Sequence, residues 1–99
     1  MADLAPLRAR QVVMQEPTDP PRVGKAANRK AEQDFYGNIE HFHGAKLVSS
    51  AVGAGVTFSE WSYDFQLKGQ PRITLEEVAR RQWKNGKIVH ERFYYHRRA

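Results

Sequence analysis

Glu16 follows Val12-Val13-Met14-Gln15 and directly precedes Pro17. A carboxylate facing an apolar pocket loses hydration and its pKa rises. It then suits proton abstraction next to a carbonyl. The same position is also an ordinary strand end, so both roles stay open for Glu16. Arg80 and Glu91 form the next constellation. A regular hairpin around Asn85-Gly86 sets them opposite each other, where a cross-strand ion pair contributes a few tenths of a kcal/mol to about 1 kcal/mol. Trp61, Tyr63, Phe65, Phe93 and Tyr95 are either a packed core or the wall of a pocket for a flat, mostly apolar ligand. His41 and His43 are two residues apart and do not share a helix face, and His90 and His96 lie far from them in sequence. With no Gly-rich phosphate loop and no nucleophile motif, neither a metal nor a cofactor is expected.

The elements that must position these groups are mostly strands. Asn-Gly between strand-forming runs is a strong hairpin signal and makes the C-terminal third an antiparallel meander. Residues 46–52, 56–67, 72–83 and 87–95 read as strands, rich in β-branched and aromatic residues. Residues 75–81 have helical propensity too, but the flanking hairpin signals favour strand. Upstream, 3–9 reads as a short helical turn and 11–16 as a strand stopped by Pro17. A loop with consecutive prolines follows, then an amphipathic helix from 24 to about 43. Its apolar stripe is Ala27, Ala31, Phe35, Ile39 and Phe42. Gly37 weakens its interior and His43-Gly44 is its stop.

Side chains alternate along strands, so turn length sets which of them share a face. With two-residue turns at Asn85-Gly86 and Gly69-Gln70, Val78 lies opposite Trp61 and Phe93, and Glu76 opposite Tyr63 and Tyr95. One face then carries Trp61, Tyr63, Phe65, Val78, Arg80, Glu91, Phe93 and Tyr95, the candidate ligand pocket. The other carries Glu60, Asp64, Ile73, Leu75, Ala79, Ile88, Arg92 and Tyr94. A one-residue change in the second turn swaps Trp61 and Tyr63 to the opposite side. One helix covers only one face, so the other is expected to meet a second subunit.

Composition agrees with one small globular domain over residues 1–99, 40% hydrophobic and 11% aromatic. The absence of cysteine excludes disulfides and thiolate metal sites and points to a cytoplasmic protein. No apolar run reaches membrane-spanning length and no signal peptide is visible. The net charge of +5 gathers at Arg80-Arg81, Lys84, Lys87, Arg92 and Arg97-Arg98. Acidic residues interleave and no nucleic-acid motif appears, so a solvated basic face is expected rather than a nucleic-acid surface.

The order of these parts resembles the SnoaL-like branch of the nuclear transport factor 2-like superfamily. Val13-Met14-Gln15-Glu16-Pro17, Gly24-Lys25-Ala26-Ala27, Phe58-Ser59-Glu60-Trp61 and Gly86-Lys87-Ile88-Val89 with Glu91-Arg92-Phe93-Tyr94-Tyr95 carry the resemblance. It implies an α+β fold: a strongly curved antiparallel sheet packed against one long helix as a cone-shaped α+β barrel, here with the family's long N-terminal helix largely missing. Members include polyketide cyclases, steroid isomerases, epoxide hydrolases and non-enzymatic binding domains, most of them dimers through the outer sheet face.

By that resemblance Glu16 falls where ketosteroid isomerases carry their general base. Their second acid falls at Val78, and the tyrosine of their oxyanion hole belongs to the missing helix, with Tyr63 or Tyr95 as replacements. The epoxide-hydrolase cluster falls on Trp61, Tyr63 and Phe93, which cannot do that chemistry. His96 stands where the family often has Asp. The leading expectation is a homodimeric domain binding an apolar or aromatic small molecule. An isomerase or cyclase using Glu16 as base comes second, and a protein-interaction module docking through the sheet, at Ile73 or Tyr94, comes third.

Overall fold

The computed structural model describes residues 4–98, apart from the side chains of Ala5, Arg97 and Arg98. A 3-10 turn at Ala5–Leu7 leads into β1 (Arg8–Gln15), β2 (Arg22–Val23), α1 (Lys25–Gly37), β3 (Ile39–Gly53), β4 (Val56–Leu67), β5 (Arg72–Lys84) and β6 (Lys87–Arg98). The turn lies within the expected 3–9, whose first residue is outside the described ones. The basic side chains expected at Arg97 and Arg98 lie outside them as well.

One sheet runs β2-β1-β6-β5-β4-β3. The meander from β3 to β6 is antiparallel, as expected. β1, however, pairs parallel to β6, so the sheet is mixed, and β2 and β3 remain edges rather than closing a barrel. The α+β architecture of one helix against this sheet is the expected one.

The Asn85-Gly86 turn is the two-residue type the sequence predicts. Both residues have positive φ, 53° and 75°, and Lys84 pairs with Lys87. The helix is shorter than its apolar periodicity. It ends at Gly37, where the Asn38 N–H donates to the Phe35 carbonyl at 3.0 Å, and Ile39 already pairs with Leu67 of β4. Glycine weakens the helix there while β4 offers a complete ladder, so Ile39 and Phe42 belong to β3.

The residue that fastens the helix is Asn28 rather than the alanine stripe. Ala27 is exposed, whereas Asn28 is fully buried. Its Nδ2 donates to the carbonyls of Gly24 at 2.7 Å, Arg22 at 3.0 Å and Val12 at 3.3 Å, and its Oδ1 accepts from Arg22 Nε at 3.1 Å. One side chain thus joins β1, β2 and α1. Gly24 enters the helix at φ 101°, a conformation that favours glycine.

The helix packs on what we call the inner face. One buried cluster there is Val12, Met14, Ala79, Ile88 and Phe93, and a second is Phe65, Ile73 and Leu75. Tyr95 packs against both. Phe35 of α1 meets Phe65 edge-on with ring centroids 5.8 Å apart.

Candidate functional site

Two local irregularities decide which side chains reach the inner face. Between β4 and β5, Gln66 pairs with Arg72, and the Gln70 N–H donates to the Leu67 carbonyl at 3.0 Å. Pro71 lengthens the expected two-residue turn, so Trp61 lies opposite Glu77 and Tyr63 opposite Leu75. In β6 the ladder shifts between Gln82 and Trp83, from Trp83–Ile88 to Gln82–His90, and the surplus residue is a β-bulge. Beyond it Arg81 pairs with Glu91, Ala79 with Phe93 and Glu77 with Tyr95.

The two shifts together invert β5 and, ahead of the bulge, Ile88 of β6. Trp61, Tyr63, Phe65, Glu91, Phe93 and Tyr95 share the inner face. Val78 pairs with Glu60 and Tyr94, and Arg80 with Phe58 and Arg92, so Val78 and Arg80 lie on the outer face. The expected Arg80–Glu91 and Val78–Phe93 pairs do not form. Ile73, Leu75, Ala79 and Ile88, expected outside, are buried inside. Glu77, Ala79 and Arg81 take the inner positions instead.

Glu91 is fully buried and holds two guanidinium groups. Arg8 Nε donates to its Oε2 at 3.0 Å, and Arg81 Nε to its Oε1 at 2.8 Å. Arg8 also pairs with Glu32 of the helix, and Arg81 Nη1 donates to Ser59 Oγ at 3.2 Å. Every charge in this network is compensated, which marks it as structural.

The reactive groups lie beside it. Burial raises the Glu16 carboxyl above its ordinary range. Arg22, 3.7 Å away, and a hydrogen bond from Tyr95 pull it back only in part. Glu77 is pushed up to about 7, first by burial and then by the charge of Glu16. Arg81 opposes the shift and Glu91 adds to it. Tyr63 is raised to about 12, by burial and then by Glu77, so it stays a neutral phenol. Such an arrangement can hold and exchange a proton near neutral pH. Sequence reasoning missed Glu77 because alternation counted from two-residue turns turned it outward. Pro71, directly after the turn, was the available signal.

Trp61 and Tyr63 stack with centroids 5.8 Å apart and planes 16° apart, both rings half-buried. Leu47 and Phe42 of β3 stand beside Trp61 and Phe65 in register and are exposed, as are Phe35 and Tyr36 of α1. A separate open groove of about 320 Å³ lies at the β3–β4 hairpin, lined by Val52, Gly53, Gly55, Val56, Thr57 and Trp83. Among the described residues no group of three or more His, Cys, Asp or Glu could hold a metal ion. Among them, too, no helix is long and apolar enough to cross a membrane.

Residues 8–95 match the SnoaL-like domain family. The chain belongs to that family. A candidate SnoaL-like polyketide cyclase from Mesorhizobium loti superimposes on this SnoaL-like domain with a TM-score of 0.84 at 29% identity, covering 92% of this chain and 81% of that one. A protein of ketosteroid-isomerase-like fold from Catenulispora acidiphila, solved with trimethylamine, matches with a TM-score of 0.80 at 16% identity, over 93% and 72% of the two chains. A candidate isomerase from Bacillus subtilis gives a TM-score of 0.80 at 19% identity, over 93% and 71%. The last two similarities concern the fold alone. No curated protein matches the chain.

Proposed function

We propose that this SnoaL-like domain binds a flat, mostly apolar small molecule on its inner face, against the Trp61–Tyr63 stack. The observation that carries the reading is this stack of half-exposed rings beside carboxyl groups of raised pKa. Phe35, Phe42 and Leu47 extend the apolar surface. Neutral Tyr63 and protonated Glu77 supply donors for one or two polar atoms of the ligand. A thermal-shift screen of aromatic and steroid-like compounds tests it. Binders should raise Tm, and Trp61→Ala should abolish their effect. Indifference to every apolar compound would remove this reading.

A second reading is an isomerase or cyclase with Glu16 as general base. It is favoured by Glu77, an acid on the inner face one residue before the position first expected for it. In this role Glu77 and Tyr63 donate hydrogen bonds to a carbonyl oxygen while Glu16 takes a proton from the adjacent carbon. Glu16→Gln should then abolish turnover and leave the circular dichroism spectrum unchanged. Retained turnover would clear Glu16 of the role.

We further propose that the domain works in the cytoplasm as a homodimer through its outer face, where Phe58 is 40% and Tyr94 46% exposed. Sedimentation measures this directly. Tyr94 remains a candidate contact for docking on that face, while Ile73, at 8% exposure, is inside.

A further inference from the structure

The arginines of this domain fall into two groups. Arg8, Arg22 and Arg81 are at least half withdrawn from water, and each holds a carboxylate. Arg80 and Arg92 are partly buried as well, yet neither has a carboxylate partner among the described residues. They also face each other directly across the β5–β6 ladder. Like charges in directly opposed positions destabilise a sheet unless something compensates them. The Arg92 guanidinium sits 5.1 Å above the Tyr94 ring, and Phe58 is the β4 neighbour of Arg80. Two aromatic rings therefore flank the cationic pair.

His90 completes the patch. It lies on the outer face beside Val13 of β1 and Gln82 of β5. Its Nδ1 is buried with no hydrogen-bond partner among the described residues. The charged groups acting on it are Arg80 and Arg92, which disfavour protonation after burial itself, and Glu91, which opposes them. The imidazole thus registers the charge of the arginine pair.

We propose that Arg80 and Arg92 form an oxyanion-binding site on the outer face, taking a phosphate monoester or a carboxylate group. Guanidinium forks match both groups in geometry, and a bound anion removes the cross-strand repulsion. The anion comes either as a small free molecule or as an acidic side chain of a second copy of this chain. The site lies on the opposite side of the sheet from Glu16 and does not depend on the inner-face reading.

The test follows the His90 ring resonance by NMR across a pH titration. Inorganic phosphate is the probe, and chloride holds ionic strength constant. Saturable phosphate binding should raise the His90 pKa by roughly half a unit or more as the arginine charges are compensated. Arg80→Gln and Arg92→Gln should each abolish the phosphate response and leave His90 with a higher pKa in phosphate-free buffer. Arg72→Gln, a change at an exposed arginine paired with Asp64, should leave the response intact. A His90 pKa that falls on dilution in phosphate-free buffer identifies a carboxylate of another chain as the anion. Independence from dilution, with a saturable phosphate response, identifies a free one. A His90 resonance unmoved by both phosphate and dilution, or an equal response in the Arg80 and Arg92 variants, overturns the proposal.

Discussion

Tyr95 stands directly across the β5–β6 ladder from Glu77 and also hydrogen-bonds to Glu16. One residue of β6 thus links two carboxyl groups that both titrate above their ordinary range, Glu77 being raised in part by the charge of Glu16. Burial of Glu77 beside Glu16 makes full ionisation of both costly. The pair retains a proton at a pH where exposed carboxylates have lost theirs.

That proton ties stability to pH. The pKa of Glu77 rises from 4.5 to about 7 on folding. Its contribution is fully present below pH 4.5 and is lost as pH rises through about 7. Above that, the ionised side chain opposes folding by up to roughly 3 kcal/mol. Glu77→Gln keeps the shape without the titration. Its Tm should exceed that of the parent at pH 8, with the difference vanishing at pH 4. Calorimetric Tm values across that range check this.

Glu91 is the single anion between Arg8 and Arg81 in the interior. Glu91→Ala leaves two guanidinium groups without their shared partner and should cost about 3–5 kcal/mol. Urea denaturation measures it. A loss below about 1 kcal/mol would mean that water reaches both arginines.

Asn28→Ala deprives the buried Val12 carbonyl and the part-buried Arg22 and Gly24 carbonyls of a common donor. A loss of about 1–3 kcal/mol follows from the desolvation left uncompensated. Hydrogen exchange should show the opening concentrated at β2 and the first turn of α1.

Trp61→Ala separates ligand binding from stability. The ring is half-buried, so losing its stack with Tyr63 should cost about 0.5–1.5 kcal/mol, less than the roughly 3–5 kcal/mol of a fully buried ring. Apolar ligands should weaken at least about tenfold, or ~1.4 kcal/mol. In Trp83→Phe, Trp61 is the sole tryptophan, and its emission should respond to those ligands.

Much of this architecture was legible in the amino acids. β4 begins at Val56 and ends at Leu67 as its composition predicts, and Asn85-Gly86 turns where it must. The helix was overextended because Ile39 and Phe42 continue the spacing of Ala31 and Phe35. Periodicity does not register the competing ladder offered by Leu67 and Phe65. The face of β5 was inverted because parity accumulates through turns and bulges. Pro71 lengthened one count and the residue beyond Ile88 lengthened the other, so Trp61 and Phe93 stayed together while Val78 and Arg80 left them. Glu77 was hidden by the same parity. Asn28 was hidden because a polar side chain on a helix reads as solvated until its three acceptors are in place.

The irregularity after Ile88 has a consequence for how this strand can change over time. Deleting Val89 would restore an even count between the hairpin and the aromatic run. Gln82 already pairs with His90 and Arg81 with Glu91, so Glu91, Phe93 and Tyr95 would keep facing the interior, and Arg92 and Tyr94 the outer face. Loss of one codon at the bulge would thus be absorbed as a straighter ladder, whereas the same loss beyond Glu91 would turn the rest of the strand over.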